Sequence, residues 1–505
     1  MKTRIYFSAL LTLSALAANA QTSYDVARLM EEDLNGTARY VGMGGAMGAF
    51  GSDVSVISKN PAGIGTFVNN DVNVSFSGSA SCTSMRNPGI AFEGTPSATA
   101  YYSDGDKSDL RMALDNASFV LTLPTYSEYG LKNVNFAFAY RRVADTERIL
   151  SYHDDFQEPD SKNVVFRDFE DNQQNRINQF DFNLSFNHND RFYWGITTGV
   201  VTSLYRSDGH FYDYYPKQEG FSSPTDYNSV DRMNDFNARG WNIGLGVILR
   251  PRAGGLRFGL SFKSPTYYRV NQYYSDYLYA EWGSDYTIDD KGNKIVPDKY
   301  STNTSYRFVS PLSVNVSAGY SWNTSAIGLE YEFNAAGLAN MKIANQTLKN
   351  QCGYKDFKSY SVLRVGYETN ISKLSLRCGY NYTFPVFKED AYKNIGNYVQ
   401  GEDQEYKFKG TTEFNQNRFD REFENPKGRH TISVGAGYCS APNSEGSQFY
   451  VDAAFVYNIS NSDFNVGEYS VNDAYHRRVD DRPVDPTVGY QTRRGKLLLT
   501  LGWTF

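Results

Sequence analysis

Apolar and polar residues alternate in many separate stretches of this chain. Across residues 134–140, Val, Phe, Phe and Tyr alternate with Asn and Ala, and across 497–505 every second residue is Leu, Trp or Phe. A period of two over about ten residues is typical of a β-strand with one apolar face. Strands of roughly 9–11 residues also have the length of a tilted membrane span. The pattern therefore predicts strands that cross a membrane.

Fourteen such segments occur, with six short turns and seven long loops alternating between them. This is the arrangement of an outer-membrane barrel with both chain ends in the periplasm. A soluble β-sandwich is the alternative, but it does not repeat a long loop at every second connection. We therefore predict an all-β fold, a 14-stranded antiparallel transmembrane β-barrel in the bacterial outer membrane. The segments lie near 71–80, 116–123, 132–142, 178–188, 191–205, 236–250, 255–263, 308–320, 324–333, 359–370, 373–383, 429–439, 447–458 and 495–505. The long loops cover 81–115, 143–177, 206–235, 264–307, 334–358, 384–428 and 459–494.

The two faces of these strands differ in chemistry. One face is almost free of charge at mid-strand, whereas the other carries charged residues and many glycines. Because a lipid-facing Arg or Lys at mid-bilayer costs roughly 2–4 kcal/mol, we predict that the charged face lines the lumen. Glycine weakens a strand unless something approaches closely, so the glycines indicate a lumen with room for another segment. The charged residues are Asp181, Arg257, Glu330, Glu332, Arg364, Glu368, Arg377 and Asp452. The glycines are Gly195, Gly199, Gly244, Gly246, Gly259, Gly319, Gly328, Gly366, Gly379, Gly435, Gly437 and Gly502.

Residues 1–20 have the features of a removable secretory signal. Lys2 and Arg4 precede an apolar run, and Ala18-Asn19-Ala20 resembles a cleavage site. A single membrane anchor is the alternative, but the run is short for one. We predict three parts: a signal peptide at 1–20, an N-terminal plug at 21–70 and the barrel at 71–505.

The segment 21–70 has a different residue pattern from the strands. Apolar residues stand at helical spacing from Val26 to Leu34, a Gly- and Ala-rich run follows at 42–51, and Asn60-Pro61-Ala62 starts a turn or a short helix. A barrel of fourteen strands is wider than one that fills itself with side chains. We therefore predict that 21–70 forms a compact plug, or hatch, with short helices; a plain connecting turn at 60–63 is the alternative. The hatch-motif residues are Gly42, Gly44, Gly45, Asn60, Pro61, Ala62 and Phe67.

Composition, charge and motifs argue against several classes of function for this protein. The mean hydropathy of −0.53 resembles that of a soluble protein, because only every second strand residue meets lipid and the loops are polar. The net charge of −6 and the lack of a basic block argue against nucleic acid as a partner. The five His are scattered and the four Cys form no CxxC, so we predict neither a metal nor a cofactor. There is no Gly-x-Ser-x-Gly and no Ser close to a His on a shared strand face, so we do not expect an enzyme.

The hatch segment resembles the FadL-type family of outer-membrane transporters for long-chain fatty acids and other hydrophobic compounds. Residues 38–46, followed by Asn60-Pro61-Ala62 and Phe67, are similar to the Gly/Ala run and the Asn-Pro-Ala motif of that family's hatch. The C-terminal Trp503 and Phe505 are similar to the terminal-aromatic assembly signal of bacterial outer-membrane barrels. The motif match is confined to the hatch, and only the architecture covers the rest of the chain.

The resemblance implies passive uptake of a hydrophobic, fatty-acid-like small molecule. The compound would be captured near the outer loops, pass into an apolar pocket above the hatch, and leave through hatch movement and a kink in a wall strand, partly sideways into the membrane. In the family the third and fourth outer loops form the capture groove. An interfacial aromatic girdle with ordinary loop packing is the alternative for the matching residues. The candidate capture residues are Phe211, Tyr212, Tyr214, Tyr215, Tyr273, Tyr274, Tyr277 and Trp282.

The expected partners follow from this interpretation. They are the hydrophobic ligand, outer-membrane lipid and lipopolysaccharide, and the barrel assembly machinery; we predict a monomer. Two alternative functions stay open. The Tyr- and Asp-rich loops would suit a receptor or adhesin scaffold, and a similar Gly-rich hatch occurs in a family barrel that acts as a shuttle in type IX secretion. The long acidic outer loops, with a hairpin predicted within 283–298, depart from the family's simple groove.

Overall fold

The computed structural model describes most of the barrel and of the segment inside it. The predicted signal peptide at 1–20 lies outside the described residues. Among the described residues, no helix is long and apolar enough to cross a membrane. The described ranges are 23–87, 106–107, 110–125, 130–157, 164–216, 225–251, 255–281, 287–288, 294–295, 299–343, 346–347, 357–388, 398–400, 406–408, 423–444, 446–465 and 487–505.

Fourteen long antiparallel strands form the wall, as predicted. β1 pairs with β2 on one side and with β14 on the other, where Val72 lies opposite Trp503, and this pairing closes the sheet. The strands are β1 Asp71–Asn87, β2 Arg111–Pro124, β3 Leu131–Gln157, β4 Val164–His188, β5 Phe192–Pro216, β6 Thr225–Leu249, β7 Leu256–Lys263, β8 Ser313–Trp322, β9 Ser325–Asn334, β10 Tyr360–Ile371, β11 Leu374–Thr383, β12 Phe423–Cys439, β13 Gln448–Asn465 and β14 Thr487–Thr504.

Three outer segments continue the wall beyond β7, β8 and β9. They are Tyr267–Glu281, Lys299–Val309 and Asn340–Ile343. Short non-strand stretches separate each of them from its strand, at 264–266, 310–312 and 335–339. Ser264-Pro265 and Ser310-Pro311 occupy two of these stretches, and proline cannot donate a ladder hydrogen bond. Regular strand pairing is therefore interrupted at three neighbouring strands, although single backbone hydrogen bonds from Ser264 to Ile243, Ser310 to Thr266 and Ala335 to Leu312 still join them. Short pairs also occur at Asp106–Lys107, Gln346–Thr347, Thr287–Ile288 with Lys294–Ile295, and Tyr398–Gln400 with Tyr406–Phe408. The pair at 287–295 lies where the sequence predicted a hairpin.

Several predicted loops are in fact strand. β3 and β4 stay paired from Leu131 and His188 to Gln157 and Val164, and β5 and β6 stay paired out to residues 216 and 225. The predicted loops 143–177, 206–235 and 264–307 were therefore wrong over most of their length. The reason is that the outward side chains of these extensions are mostly polar, so the apolar period of the lipid face ends while the backbone ladder continues. Only the membrane-embedded part of a strand shows the period.

The two faces of the wall are as the sequence predicted. The eight charged residues assigned to the lumen are buried, with Arg257 partly so, whereas large apolar side chains such as Phe138, Leu245, Leu260 and Leu497 are exposed on the outside. A closed barrel satisfies every backbone hydrogen bond within lipid, and an apolar exterior is what lipid requires. The chain is therefore a bacterial outer-membrane protein.

The N-terminal segment lies inside the lumen and has two parts. The arm, residues 23–35, contains the helix α1 Ser23–Ala27 and a 3₁₀ turn at Arg28–Met30. The base, residues 36–67, contains the helix α2 Ala38–Gly42 and the 3₁₀ turns Val54–Ser58 and Pro61–Thr66. The base contacts strand residues near the short turns, and the arm contacts the halves of the strands toward the long loops.

Candidate functional site

The base is held by close backbone contact with glycines of the wall. A Cβ added at Gly328 would lie 2.1 Å from the carbonyl oxygen of Ala46, and one added at Gly379 would lie 2.1 Å from the amide nitrogen of Gly44. A Cβ added at Gly366 would lie 2.2 Å from the Met43 oxygen. The lumen glycines predicted to make room for another segment thus include three that lie directly against the base.

The Gly run also turns the base. Gly44 and Gly45 have φ values of +62° and +80°, which L side chains rarely adopt. Gly42 precedes them at the end of α2 and lies against Gly435 of the wall. These glycines allow the chain to reverse direction while remaining in contact with β11 and β12.

The Asn60 side chain hydrogen-bonds to two other parts of the base and to the wall. Its Oδ1 accepts a hydrogen bond from the amide of Ala62 at 3.2 Å and so caps the 3₁₀ turn. Its Nδ2 donates to the carbonyl oxygens of Gly48 at 2.8 Å and Val247 at 3.1 Å. Asn60 is buried, so these groups have little access to water. One side chain therefore links the turn, the Gly run and β6.

The rest of the Asn-Pro-Ala motif lies against β3 to β5. Pro61 occupies the first turn of the 3₁₀ segment, and its carbonyl oxygen accepts from Ser185 Oγ at 2.8 Å. Ala62 is fully buried. The carbonyl oxygen of Phe67 accepts from Asn133 Nδ2 at 3.0 Å. The hatch-motif residues named from the sequence thus all lie in the base, and the plain connecting turn is not what the structure places there.

Ion pairs with the wall surround the base. Arg39 makes a bidentate pair with Glu368, with both N···O distances at 3.0 Å. Lys59 contacts Glu32 of the arm at 2.8 Å and Glu332 of β9 at 2.9 Å. A bidentate Arg–carboxylate pair adds geometric specificity to its charge. The lumen carboxylates therefore act as anchors for the hatch.

Asp33 fastens the arm to the far side of the barrel. Its two carboxylate oxygens accept from Arg429 of β12 and Arg494 of β14, each at 2.8 Å. Burial by itself raises the pKa of Asp33, but Arg494 and Arg429 outweigh it and lower this pKa to about 2. The carboxylate is thus charged throughout the physiological pH range.

Above the base, the arm fills an apolar chamber. Val26 and Leu29 are buried in it, and Arg28 donates to Gln173 of β4 at 3.0 Å. Near the base the remaining space is small, about 10 Å³ beside Lys59 and Pro61, which is about enough for one water molecule. The wall residues of the chamber are Val143, Ala144, Ile177, Val201, Tyr205, Phe236, Ala238, Tyr268, Val270, Tyr306, Phe308, Ala336, Ala339, Met341, Phe357 and Phe387.

The chamber adjoins the interrupted part of the wall. Tyr268 lies just after the Ser264-Pro265 break, and Phe308 lies just before the Ser310-Pro311 break. Ala336 and Ala339 belong to the third break. Beyond Asn334 and Tyr360, the backbones of β9 and β10 are no longer paired, and the outer segment Asn340–Ile343 pairs with Lys299–Val309 instead. Sequence reasoning missed this site, although the two Ser-Pro pairs were a signal for it.

The seven candidate capture residues that the structure describes lie on strand extensions, where the sequence predicted loops. Tyr212 lies in β5 together with Phe211, Tyr214 and Tyr215, and Tyr277 lies in the outer segment Tyr267–Glu281. In the same segment, Tyr274 is buried on the lumen side and Tyr273 lies on the outward face. Trp282 lies outside the described residues. Tyr273 and Tyr274 thus lie on opposite faces of one strand, and the capture role of the eight residues stays a prediction.

The C-terminal aromatics lie on the lipid face. Trp503 is 53% exposed and Phe505 is 50% exposed at the periplasmic end of β14. The backbone of Phe505 exchanges two hydrogen bonds with Asn70, at 3.0 and 3.1 Å, just before β1 begins. Among the described residues, no group of three or more His, Cys, Asp and Glu side chains is arranged to hold a metal ion.

Solved structures with this architecture exist. A Pseudomonas aeruginosa FadL homologue matches with a TM-score of 0.55 over 94% of this chain and 99% of its own, at 13% sequence identity. The chain has the FadL-type fold. The Pseudomonas putida toluene transporter TodX matches with a TM-score of 0.50, covering 94% of this chain and 99% of its own at 10% identity. No protein-family model and no curated protein sequence matches the chain.

Both matches cover 94% of this chain. The low identities limit the likeness to the fold.

Proposed function

We propose that this chain mediates passive uptake of a hydrophobic small molecule, fatty-acid-like in chemistry, across the outer membrane. The observation that carries the proposal is the apolar chamber above the base, which has the largest group of buried apolar side chains among the described lumen residues. A water-filled pore for polar solutes has a polar interior. Here aromatic and aliphatic side chains converge above a hatch. The fold is also that of a FadL homologue and of a toluene transporter.

The arm is the element that a ligand would displace. Val26 and Leu29 occupy the chamber as a ligand's apolar groups would, and α1 is only five residues long. A helix this short has little stability of its own, so its packing in the chamber holds it. A ligand that buries comparable apolar area would compete with the arm for the same surface.

The interrupted wall offers an exit from the chamber toward lipid. Residues 335–339 leave the sheet at the point where β9 and β10 separate, and Leu338 is 63% exposed there. A hydrophobic compound that leaves sideways would avoid the closely packed base. No energy source enters this route, so transport follows the concentration gradient.

Uptake by a deletion strain tests the proposal. Radiolabelled fatty acids, monoaromatic compounds and sterol-like compounds are supplied to the deletion strain and to the same strain carrying the gene. We expect uptake of at least one class to fall in the deletion strain and to be restored by the gene. Unchanged uptake of all three classes would refute the proposal. The same experiment with purified protein in energy-free liposomes tests whether transport is passive.

A chamber-filling variant links uptake to the site. Ala238 is fully buried in the chamber, so Ala238→Trp should fill space that a ligand needs and lower uptake. The control is Ala318→Trp on β8, where the side chain points outward between Phe258 and Leu329. Equal uptake by the two variants would show that the chamber is not on the path.

A further inference from the structure

Three arginines stand side by side on the outward face of the barrel. Arg239 on β6 lies directly opposite Arg269, and Arg269 lies directly opposite Arg307, so the three form one row across three neighbouring strands. All three are exposed, and their lumen-facing neighbours are buried. The register also sets Lys342 opposite Arg307 on the next segment. We call Arg239, Arg269 and Arg307 the arginine row.

The row has no anionic partner within the part of the chain that the structure describes. Among the described residues, none of the three arginines makes an ion pair or a side-chain hydrogen bond. The adjacent outward positions on the long-loop side are Asn237, Asn271 and Ser305, all uncharged. Like charges directly opposite each other in a sheet are destabilising. An external anion would relieve this repulsion.

The row lies at the boundary of the lipid face. The outward positions on its membrane side are Trp241, Tyr267 and Val309. Trp241 and Tyr267 stack with ring centroids 5.2 Å apart and are about half exposed, as in an interfacial aromatic girdle. Two residues along a strand span roughly 7 Å, so the guanidinium groups stand just outside the girdle. That is the level at which a lipid carries its charged groups.

Amide and hydroxyl side chains flank the row on its long-loop side. They are the exposed Asn237, Asn271 and Ser305, and Asn303 lies at the next outward position of its strand. Such groups suit sugar hydroxyls, while guanidinium groups bind phosphate with paired hydrogen bonds. A lipid with acyl chains, phosphates and sugars would thus meet the apolar face, the arginine row and the amide and hydroxyl groups in that order along the same strands.

We propose that the arginine row binds the phosphate groups of an outer-leaflet glycolipid, the lipopolysaccharide type. Its phosphates pair with Arg239, Arg269 and Arg307, and its acyl chains lie along the apolar face below Trp241 and Tyr267. The site is separate from the lumen chamber and independent of which compound is transported. Because the row lies just beyond the Ser-Pro breaks, the bound lipid also holds the outer segments together where the wall is interrupted.

Lipid binding by the full-length purified protein tests this. The protein in detergent is titrated with bisphosphorylated lipid A, with dephosphorylated lipid A and with phosphatidylglycerol, and bound lipid is counted by native mass spectrometry. The row variant carries Arg239→Gln, Arg269→Gln and Arg307→Gln. We expect it to bind bisphosphorylated lipid A at least about tenfold more weakly than the wild type, since hydrogen bonds to charged groups are the strong ones.

A scattered variant with the same charge change serves as the control. It carries Arg191→Gln, Arg206→Gln and Arg493→Gln, which are exposed and outside the row. Retained binding by this variant supports the row as the site, and a loss equal to that of the row variant would overturn the proposal. Equal binding of dephosphorylated lipid A by the wild type would overturn the role of phosphate. Binding of phosphatidylglycerol equal to that of lipid A would overturn the glycolipid assignment.

A single substitution covers the case in which the triple variant does not assemble. Arg269 is the middle of the row and contacts neighbours on both sides, so Arg269→Gln alone should weaken binding of bisphosphorylated lipid A measurably. Arg269→Lys keeps the charge but lacks the paired donors and should give an intermediate result. Wild-type binding by Arg269→Gln would count against the proposal.

Discussion

At the scale of single residues, the wall glycines explain how a folded segment fits inside the barrel. Gly328, Gly366 and Gly379 leave no space for a side chain, because backbone atoms of the base lie where a Cβ would stand. The sequence revealed these glycines as an excess on one face. It did not reveal that their counterpart is the Gly run of the hatch, since that depends on the depth at which the hatch lies in the lumen.

Gly328→Val should displace the base. The new side chain overlaps the Ala46 carbonyl, and overpacking of this kind typically costs about 1–3 kcal/mol. We expect raised conductance in planar bilayers, because the base no longer closes the lumen. Gly495→Val is the matched control, since the nearest atom to its Cβ is 3.7 Å away in the Phe455 ring. Conductance equal to that of the control would contradict the close packing described here.

Asn60→Ala should loosen the hatch. The change removes the cap on Ala62 and leaves the carbonyl oxygens of Gly48 and Val247 without their donor. Loss of a buried hydrogen-bond partner costs about 1–3 kcal/mol. Protease cleavage within residues 42–67 should therefore become faster. Asn60→Asp separates capping from donation, because the carboxylate still caps Ala62 but has no N–H to donate to Gly48 and Val247. If donation contributes most, Asn60→Asp should be cleaved as fast as Asn60→Ala.

At the scale of elements, the hatch consists of an arm and a base that are held differently. The base rests on backbone contacts and several buried ion pairs, whereas the arm relies on an apolar contact and on charged side chains such as Asp33. Local stability follows the density of such contacts. We expect the arm to open before the base, which matches the order that the proposed uptake through the chamber needs.

The Asp33 anchor should weaken in strong acid. Its pKa is lowered to about 2 from the ordinary 3.8, so its contribution to docking is complete above 3.8 and is lost as the pH falls through about 2. We expect pepsin to cleave the arm of the wild type increasingly as the pH is lowered from 4 to 2. Asp33→Asn should be cleaved readily at pH 4 already. Asp208→Asn, a substitution at an exposed site, should behave like the wild type.

At the scale of the whole molecule, one closed wall and one internal plug account for most of the described chain. Apolar residues coat the outside, and polar side chains and ion pairs fill the inside around the hatch. Apolar side chains also pack inside, between the base and the wall and in the chamber, and the chamber lies next to the interrupted wall. The combination suits a compound that enters from water and leaves into lipid.

Deletion of residues 42–67 should open the barrel. Without the base, the lumen of fourteen strands is wide enough to conduct ions. We expect single-channel conductance in planar bilayers to exceed that of the intact protein. Conductance no higher than that of the intact protein would show that these residues do not close the lumen. Heat-shifted gel mobility checks that the shortened protein still forms a barrel.

The sequence by itself determined the strand count, the two faces and the presence of a plug. Within the membrane, successive strand residues face lipid and lumen in turn, so apolar and polar residues alternate in the sequence with a period of two. The same parity placed Asp181, Glu330 and Arg377 in the lumen correctly.

Only the tertiary structure decided the depth of each contact. Arg39 meets Glu368 and Asp33 meets Arg494 across hundreds of residues, and parity alone cannot say which lumen residues share a level. The strand extensions outside the membrane and the breaks at Pro265 and Pro311 also escaped the pattern, because no lipid imposes a period there. The arginine row became visible only when the register set Arg239, Arg269 and Arg307 side by side.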